Sequence, residues 1–198
     1  MTFDKSPLAE NLTSIVSKTS NQAEESKKEE NKEIPSVTLP HRCLRFEDFE
    51  IMDTLGEGSF GKVFKVKKKD TGKVYAMKSM SKKQLIQNHQ VKYAVTEAQI
   101  MKKLDHSYVL KLMYTFQTPE YMHMVMELCE HGDLSKQLDQ HQYFEENLAR
   151  FIAAELILAM EHVHNKGVLY RDLKPENIMI DSDGHIRLGD FGLAKQAG

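Results

Sequence analysis

Short runs in which hydrophobic and polar residues alternate are frequent in the part of the chain that follows residue 46. Such runs are typical of strands with one buried face. Turn residues such as Asp70–Gly72 separate them. The pattern predicts five strands that form one sheet, and the runs are Phe49–Leu55, Val63–Val66, Val74–Lys78, Val109–Leu112 and Tyr121–Leu128.

Longer segments have the spacing of helices. A helix is predicted over residues 84–104, with an apolar stripe of Val91, Val95, Ala98, Met101 and Leu104. A shorter helix is predicted to begin at Asp133. The strongest helical pattern runs from Glu145 to Lys166, and Gly167 is a suitable residue to end it. The stripe of this helix is wide, so we expect part of it to face water, and it contains Leu148, Phe151, Ile152, Leu156, Ala159 and Val163.

The composition fits one folded unit with one core. The chain has 198 residues, 40% of them hydrophobic, and a net charge of −2. Because the charges nearly balance, we expect neither a nucleic-acid nor a membrane partner. The longest apolar run, Leu156–Met160, is too short to span a bilayer. Cys43 and Cys129 have no metal-ligand spacing, and so few cysteines favour a reducing compartment, so the cytoplasm is expected, with the nucleus as the alternative.

Residues 1–45 form a polar N-terminal segment. Ser20–Glu33 is dense in Lys, Glu, Ser and Asn. Such a segment cannot bury enough apolar surface to offset the entropy lost on ordering. We therefore expect a disordered tail, and a docking or regulatory arm is the alternative.

Candidate chemistry is concentrated between residues 170 and 177. Asp172, Lys174 and Asn177 lie within six positions, and Pro175 favours a loop because it limits the backbone and lacks an amide donor. An acid, a lysine and an amide on one loop can hold a nucleophile, a phosphate and a divalent metal together.

A second acidic residue, Asp190, lies further along the chain beside glycine, an arrangement common for a side chain that reaches a metal. Between the two acids, Asp183–Gly184 predicts a hairpin turn. This turn would join the strand-like runs Ile178–Ile180 and His185–Leu188 and bring Asp172 and Asp190 to the same end of a small sheet.

Three glycines, Gly56, Gly58 and Gly61, follow the first predicted strand. This spacing lets backbone amides approach phosphate oxygens closely, although on its own it is often only a turn. A strand rather than a helix follows it, which argues against the dinucleotide-binding fingerprint. The segment is better explained as a β-hairpin whose turn can approach phosphates.

Taken together, Tyr170–Asn177 and Asp190–Gly192 resemble the catalytic loop and the metal-binding triplet of a protein kinase. Tyr170 in place of the usual histidine, and Lys174 two residues after Asp172, are similar to serine/threonine kinases of the AGC group, such as the cAMP-dependent and ribosomal-S6-type kinases.

This resemblance implies an α+β, bilobal protein-kinase-like fold for residues 46–198. A five-stranded antiparallel N-lobe with one helix would cover residues 46–128, a hinge residues 126–132, and a partial helical C-lobe residues 133–198. The family continues with an activation segment and several helices, and the sequence stops at Gly198. We therefore expect a fragment or a truncated gene model of a kinase.

The resemblance also implies residue roles. Asp172 would orient the hydroxyl of a serine or threonine in a protein substrate and accept its proton, and Lys174 would neutralise the moving phosphoryl group. Asn177 and Asp190 would hold Mg²⁺. Lys78, fixed by an ion pair with Glu97, would contact the α- and β-phosphates of ATP.

Further positions follow from the same resemblance. Asp133 would meet the ribose or a basic residue of the substrate. A regulatory column of an active kinase would be formed by Met101, Leu112, Tyr170 and Phe191. The ATP-binding set would be Leu55, Gly56, Glu57, Gly58, Ser59, Phe60, Gly61, Lys62, Val63, Ala76, Lys78, Met126, Glu127, Cys129, Asp133 and Met179.

Two other functions compete with an active protein kinase. One is an inactive fragment that serves as a nucleotide- or partner-binding module. The other is a small-molecule phosphotransferase, which the regular glycine motif and the complete Asp190–Gly192 triplet disfavour. The sequence leaves the oligomeric state open.

Overall fold

The computed structural model describes residues 44–58 and 61–197 of the chain. The predictions for residues 1–43 and for Ser59 and Phe60 lie outside the described residues. The expected tail included Arg45, but this residue already belongs to the folded unit. Its carbonyl accepts the Asp48 amide at 3.1 Å, and its own amide donates to the Asp48 carboxylate at 2.8 Å. These bonds fix a 3₁₀ turn over Phe46–Asp48.

A five-stranded antiparallel sheet follows, as predicted. The strand order is β1-β2-β3-β5-β4, so all neighbours along the chain are hairpin-connected except β3 and β4, which flank β5. The strands are β1 (Phe49–Gly58), β2 (Gly61–Lys68), β3 (Val74–Ser81), β4 (Leu112–Gln117) and β5 (Tyr121–Met126).

The predicted strand Val109–Leu112 is wrong in its bounds, because β4 begins where that run ends. The Leu110 amide donates to the Leu188 carbonyl at 2.9 Å, and the Leu188 amide donates to the Tyr108 carbonyl at 2.9 Å. The run therefore pairs with a hairpin later in the chain, and only its last residue, Leu112, belongs to the sheet.

Two helices, α1 (Lys82–Gln87) and α2 (Val91–Lys103), replace the single helix predicted over residues 84–104. They are separated at His89, whose φ of 56° no helix contains. The Ser81 hydroxyl caps α1 by accepting the Gln84 amide at 3.4 Å.

The buried face of α2 also differs from the predicted stripe. Val91 and Val95 are 45% and 42% exposed, whereas Glu97 is only 4% exposed. An acidic residue, Glu97, therefore lies at the centre of the inward face of α2. Because hydrophobic periodicity does not count an acidic residue as buried, the predicted stripe is rotated around the helix relative to the observed buried face. The inward face consists of Ala94, Glu97, Ala98, Ile100 and Met101.

The C-terminal part is built from two helices and short strand pairs. α3 (Leu134–His141) is capped by Asp133, and α4 (Glu146–Asn165) ends before Gly167, whose φ is 68°. β6 (Val168–Leu169) pairs with β9 (Lys195–Gln196), and β7 (Ile178–Ile180) pairs with β8 (Ile186–Leu188) in the predicted hairpin.

The apolar stripe of α4 is better covered than expected. Ile152, Ala159 and Val163 are buried, and Leu148 and Leu156 pack against the core. The apolar residues of α4 that are most exposed lie off this stripe, with Ile157 at 67%. None of the helices in the described ranges is long and apolar enough to cross a membrane.

One core cluster connects the sheet, α2, α4 and the β7–β8 hairpin. It includes the four residues of the predicted column, with Leu112 at its margin and Met101, Tyr170 and Phe191 fully enclosed. The rings of Tyr170 and Phe191 meet edge to face, with centroids 5.1 Å apart. The column therefore packs the two loops that carry Asp172 and Asp190 against α2.

Candidate active site

An ion pair joins β3 to α2 at the edge of the site. Lys78 Nζ lies 2.8 Å and 3.1 Å from the two carboxylate oxygens of Glu97. Burial would lower the pKa of Lys78, but the charges of Glu97 and Asp190 outweigh it and the net pKa is raised. The lysine is therefore a fixed cation that faces two carboxylates.

The glycine-rich segment forms the hairpin between β1 and β2. Glu57 and Lys62 are opposite each other, with Lys62 Nζ 3.6 Å from Glu57 Oε2. A Cβ atom on Gly61 would lie 1.8 Å from the Ser79 carbonyl oxygen on β3. Glycine is therefore required at position 61 for β2 to pair with β3 in this register.

The loop after β6 brings two polar side chains, Lys174 and Asn177, to Asp172. Lys174 Nζ lies 2.9 Å from Asp172 Oδ2, and Asn177 Nδ2 donates to the same oxygen at 2.9 Å. The pKa of Asp172 is lowered, chiefly by the bond from Lys174 and secondarily by that from Asn177. A 3₁₀ turn over Pro175–Asn177 returns the chain so that these contacts form.

The segment around Asp190 is fastened to this loop. Asp190 has a φ of 47°, and its Oδ1 accepts the Gly192 amide at 3.1 Å. Arg171, with a φ of 68°, donates from Nε and Nη2 to the Leu193 carbonyl at 2.9 Å and 2.7 Å. Asp190 itself and Arg171, the residue before Asp172, are thus left-handed non-glycine residues, a form of strain that is often stored at functional sites.

A cavity of about 320 Å³ brings the charged residues together. Four of the predicted site residues share its wall, namely Lys78, Glu97, Asp172 and Asp190. The glycine hairpin contributes further predicted positions to the same wall, namely Gly58, Gly61, Lys62 and Val63. Two lysines, three carboxylates and a glycine turn around one cavity can bind an anion together with a divalent metal.

Apart from Val63, the residues predicted around adenine do not line this cavity. Ala76 is paired with Met126 across β3 and β5, and Met179 forms a bridge with Asp133. Leu55 and Gly56 are exposed on β1. These positions surround the hinge side of the sheet, and their predicted contact with adenine stays a prediction.

Two predicted hinge-side residues have additional contacts. Burial, followed by the charge of Glu127, raises the pKa of the Cys129 thiol to about 12, so the thiol is neutral and unreactive at neutral pH. The Glu127 carboxylate accepts the Lys111 amide at 2.8 Å, which fixes the hinge to the segment before β4.

Asp133 is engaged within the chain. Its Oδ1 caps α3 by accepting the Lys136 amide at 2.9 Å, and its Oδ2 lies 3.0 Å from Lys136 Nζ. The carboxylate is thus oriented and already paired with a cation.

Sequence reasoning did not assign a role to Arg171 or to Leu193. Their contact joins residues 22 positions apart through a backbone carbonyl, and no side-chain pattern records such a contact. The left-handed backbone at Arg171 is likewise invisible in the sequence, since only glycine signals that conformation reliably.

The donor set suits magnesium bound together with phosphates. Among the described residues no group of three His, Cys, Asp or Glu converges into a metal site. Asn177 donates from Nδ2 to Asp172, so Oδ1 is the side-chain atom that could ligate a metal. One amide oxygen and the carboxylate of Asp190 are hard ligands, and Mg²⁺ commonly takes only one or two protein ligands and completes its shell with phosphate and water.

Comparison with known proteins agrees with this geometry. The protein kinase domain family matches residues 49–198. A RAC family serine/threonine-protein kinase homolog of Dictyostelium discoideum is 44% identical over 149 residues, which is 75% of this chain and 34% of the relative. Serine/threonine-protein kinase AtPK2/AtPK19 of Arabidopsis thaliana is 45% identical over 150 residues, which is 76% of this chain and 32% of the relative.

The chain therefore belongs to the protein kinase family. Within that family it is similar to serine/threonine kinases of the AGC type, as the resemblance at Tyr170 and Lys174 indicated. The chain spans about a third of the length of these curated relatives.

Proposed function

We propose that this chain carries the centre of an ATP-dependent protein serine/threonine kinase, which transfers the γ-phosphoryl group of Mg-ATP to a protein hydroxyl. The observation that carries the proposal is the shared cavity of the Lys78–Glu97 ion pair with Asp172 and Asp190. Phosphoryl transfer needs alignment and charge neutralisation more than covalent chemistry, and this cavity offers both.

Lys78 and the glycine hairpin bind the phosphates in this proposal. The lysine is held cationic by its carboxylate neighbours and is anchored by both oxygens of Glu97. Asn177 and Asp190 are the residues that would hold magnesium, which neutralises phosphate charge when bound. Asp190 is already positioned by the Gly192 amide, so little ordering remains to be done when the metal binds.

Asp172 orients the acceptor hydroxyl. Its lowered pKa keeps it ionised at neutral pH and able to accept a hydrogen bond from a serine or threonine. As the hydroxyl oxygen bonds to the γ-phosphorus and the bond to the β-phosphate oxygen breaks, the hydroxyl proton passes to this carboxylate. Lys174, whose Nζ lies 2.9 Å from the same carboxylate, can turn toward the transferred phosphoryl group and neutralise its negative charge.

Adenine would lie on the hinge side of the sheet. Leu55, Val63, Ala76 and Met179 would enclose the ring, Met126 would border the rear of the pocket, and the backbone of Glu127 and Cys129 would pair with the adenine edge. The buried, neutral Cys129 thiol is compatible with an apolar wall. The remaining predicted ATP contacts are those of the glycine segment, from Gly56 to Val63.

The substrate proposal is a protein with a serine or threonine acceptor and basic flanking residues. Asp133 supports the preference for basic flanking residues, because its carboxylate already forms an ion pair with Lys136. The Lys136 side chain is largely exposed, so a basic residue of the substrate can displace it. The ribose remains the other proposed partner of Asp133. We place the protein in the cytoplasm or the nucleus, since its few cysteines fit a reducing compartment.

The test uses the natural protein that carries residues 1–198, with Mg-ATP and a degenerate library of serine and threonine peptides with basic flanks. Radiolabel transfer that Asp172→Asn abolishes is the expected result. Calorimetric binding of Mg-ATP without any transfer would support the non-catalytic nucleotide-binding module instead. Absence of both binding and transfer would overturn the proposal.

A further inference from the structure

A buried carboxylate on α4, Glu155, has no part in the function proposed above. Its residue is only 3% exposed, although the helix around it is amphipathic. An isolated charge at such a position is costly unless hydrogen bonds satisfy it. Glu155 must therefore be explained by what it contacts.

Both oxygens of Glu155 bind the same turn of the β7–β8 hairpin. Oε2 accepts the Ile186 backbone amide at 3.0 Å. Oε1 lies 2.5 Å from His185 Nδ1, and because an ionised carboxylate can only accept, the imidazole donates from Nδ1. The carboxylate thus binds both the Ile186 backbone amide and the His185 side chain at the start of β8.

A third element meets the same carboxylate. Burial and then the charge of Glu155 raise the pKa of Tyr108, which lies in the segment between α2 and β4. The Tyr108 carbonyl accepts the Leu188 amide at 2.9 Å, and the Leu188 carbonyl accepts the Leu110 amide at 2.9 Å. Strand β8 is therefore held between α4 and the segment that leaves α2.

The two ends of this hairpin carry the proposed metal ligands. Asn177 directly precedes β7, and Asp190 follows β8 by two residues. The Gly189 amide donates to the Asn177 carbonyl at 2.8 Å, so the two ends are themselves bonded. A displacement of β8 along or away from α4 would move Asp190 relative to both Asn177 and Glu97.

We propose that Glu155 is a positioning residue for the metal-binding end of the β7–β8 hairpin. Acting through Ile186 and His185, it fixes the placement of Asp190 and Asn177 against α2. Its effect on metal binding rests on the function proposed above, whereas its hold on the hairpin does not.

The test compares two substitutions at Glu155 with a matched control. Glu155→Leu removes both acceptors, while Glu155→Gln keeps one oxygen for the Ile186 amide and folds with nearly the same shape. Glu161→Gln on the exposed side of α4 is the control. The readouts are thermal unfolding, ATP binding as a function of Mg²⁺ concentration, ATP binding in EDTA, and hydrogen exchange of the Ile186 and Leu188 amides.

Glu155→Leu is expected to raise the Mg²⁺ concentration for half-maximal ATP binding about tenfold, the lower end of the effects seen when groups behind metal ligands are lost. Metal-free ATP binding should change little, and Glu155→Gln should recover most of the loss. Exchange should accelerate at Ile186 and Leu188 in the leucine variant and not in the control.

Equal losses of metal-dependent and metal-free binding would show a purely structural role and overturn the proposal, as would an unchanged Mg²⁺ response in a variant with faster exchange. If Glu155→Leu does not fold, the double variant Glu155→Gln/His185→Ala takes its place, because it loses the His185 contact and keeps only one acceptor for the Ile186 amide. Wild-type exchange and a wild-type Mg²⁺ response in that double variant would overturn the proposal. If the wild type binds no Mg-ATP, the function proposed above fails, and unaltered amide exchange in both variants would refute the hold on the hairpin separately.

Discussion

The Tyr170 hydroxyl donates a hydrogen bond to the carbonyl of Gly189, the residue before Asp190. Both residues are buried. Burial, followed by the charge of Asp190, raises the pKa of Tyr170, so the phenol remains a donor at every physiological pH. The loop of Asp172 and the loop of Asp190 are therefore joined by a hydrogen bond between uncharged groups, in addition to the bonds that the charged Arg171 side chain donates to Leu193.

Tyr170→Phe should lower the free energy of unfolding by about 1–3 kcal/mol, because the buried Gly189 carbonyl loses its donor. Denaturant unfolding measures this loss. Tyr143→Phe, at an exposed tyrosine, is the control and should have little effect. If both variants unfold at the same denaturant concentration, the Tyr170 bond contributes nothing to stability.

Lys78→Met should abolish phosphoryl transfer. The structure adds a cost in stability, because Glu97 would remain buried without its cation. We expect a loss of about 1–3 kcal/mol. The double variant Lys78→Met/Glu97→Gln should be more stable than the single variant and equally inactive, as measured by unfolding and by peptide phosphorylation.

The control for that pair is Lys67→Met on β2, an exposed lysine that should leave both readouts unchanged. Wild-type-like turnover by Lys78→Met would contradict the assigned role of Lys78.

Asp190→Asn should weaken Mg-ATP binding at least about tenfold, because it alters a proposed metal ligand. Asp172→Asn should change that affinity by no more than about threefold, since Asp172 is assigned to the acceptor hydroxyl and not to the bound nucleotide. Calorimetric titration of Mg-ATP into both variants compares them. Equal losses of Mg-ATP affinity in the two variants would contradict the separate roles assigned to Asp190 and Asp172.

Low pH should destabilise the fold through His123 on β5. Burial, and then the charge of Lys82, lowers the pKa of His123 from 6.5 to about 4 in the folded chain. Between these pH values the unfolded chain binds more protons than the folded chain, so stability is fully present above pH 6.5 and falls as the pH drops toward 4. The loss attributable to His123 is at most about 3 kcal/mol.

The matched variant for this prediction is Ser79→Ala/His123→Phe, which removes the histidine and its hydrogen-bond partner 2.8 Å away. Unfolding free energies of both proteins at pH 7.5, 6, 5 and 4 are compared. A parallel decline in the two proteins would assign the acid sensitivity to other groups.

The sequence predicts much of this fold because strands, caps and the glycine motif are local signals. Glu97 shows where local signals fail. Its position on a buried face contradicts hydrophobic periodicity, and only the motif that pairs it with Lys78, 19 residues away, identifies it. The Glu155–His185 contact spans 30 residues and belongs to no motif, so nothing in the sequence pattern reveals it.

The run Val109–Leu112 illustrates a second limit. Its hydrophobicity is correct for burial, but the choice between the N-terminal sheet and strand β8 depends on tertiary packing. The break at His89 is similar, since a histidine gives no strong signal for a left-handed backbone.

The glycines of the hairpin are under different steric constraints. A methyl group on Gly61 would collide with the Ser79 carbonyl, whereas a methyl group on Gly56 would meet no atom within 4 Å. Saturation mutagenesis selected only for folding should therefore reject substitutions at Gly61 and accept alanine at Gly56. Any selective pressure that keeps glycine at position 56 then comes from what the hairpin binds and not from the chain itself.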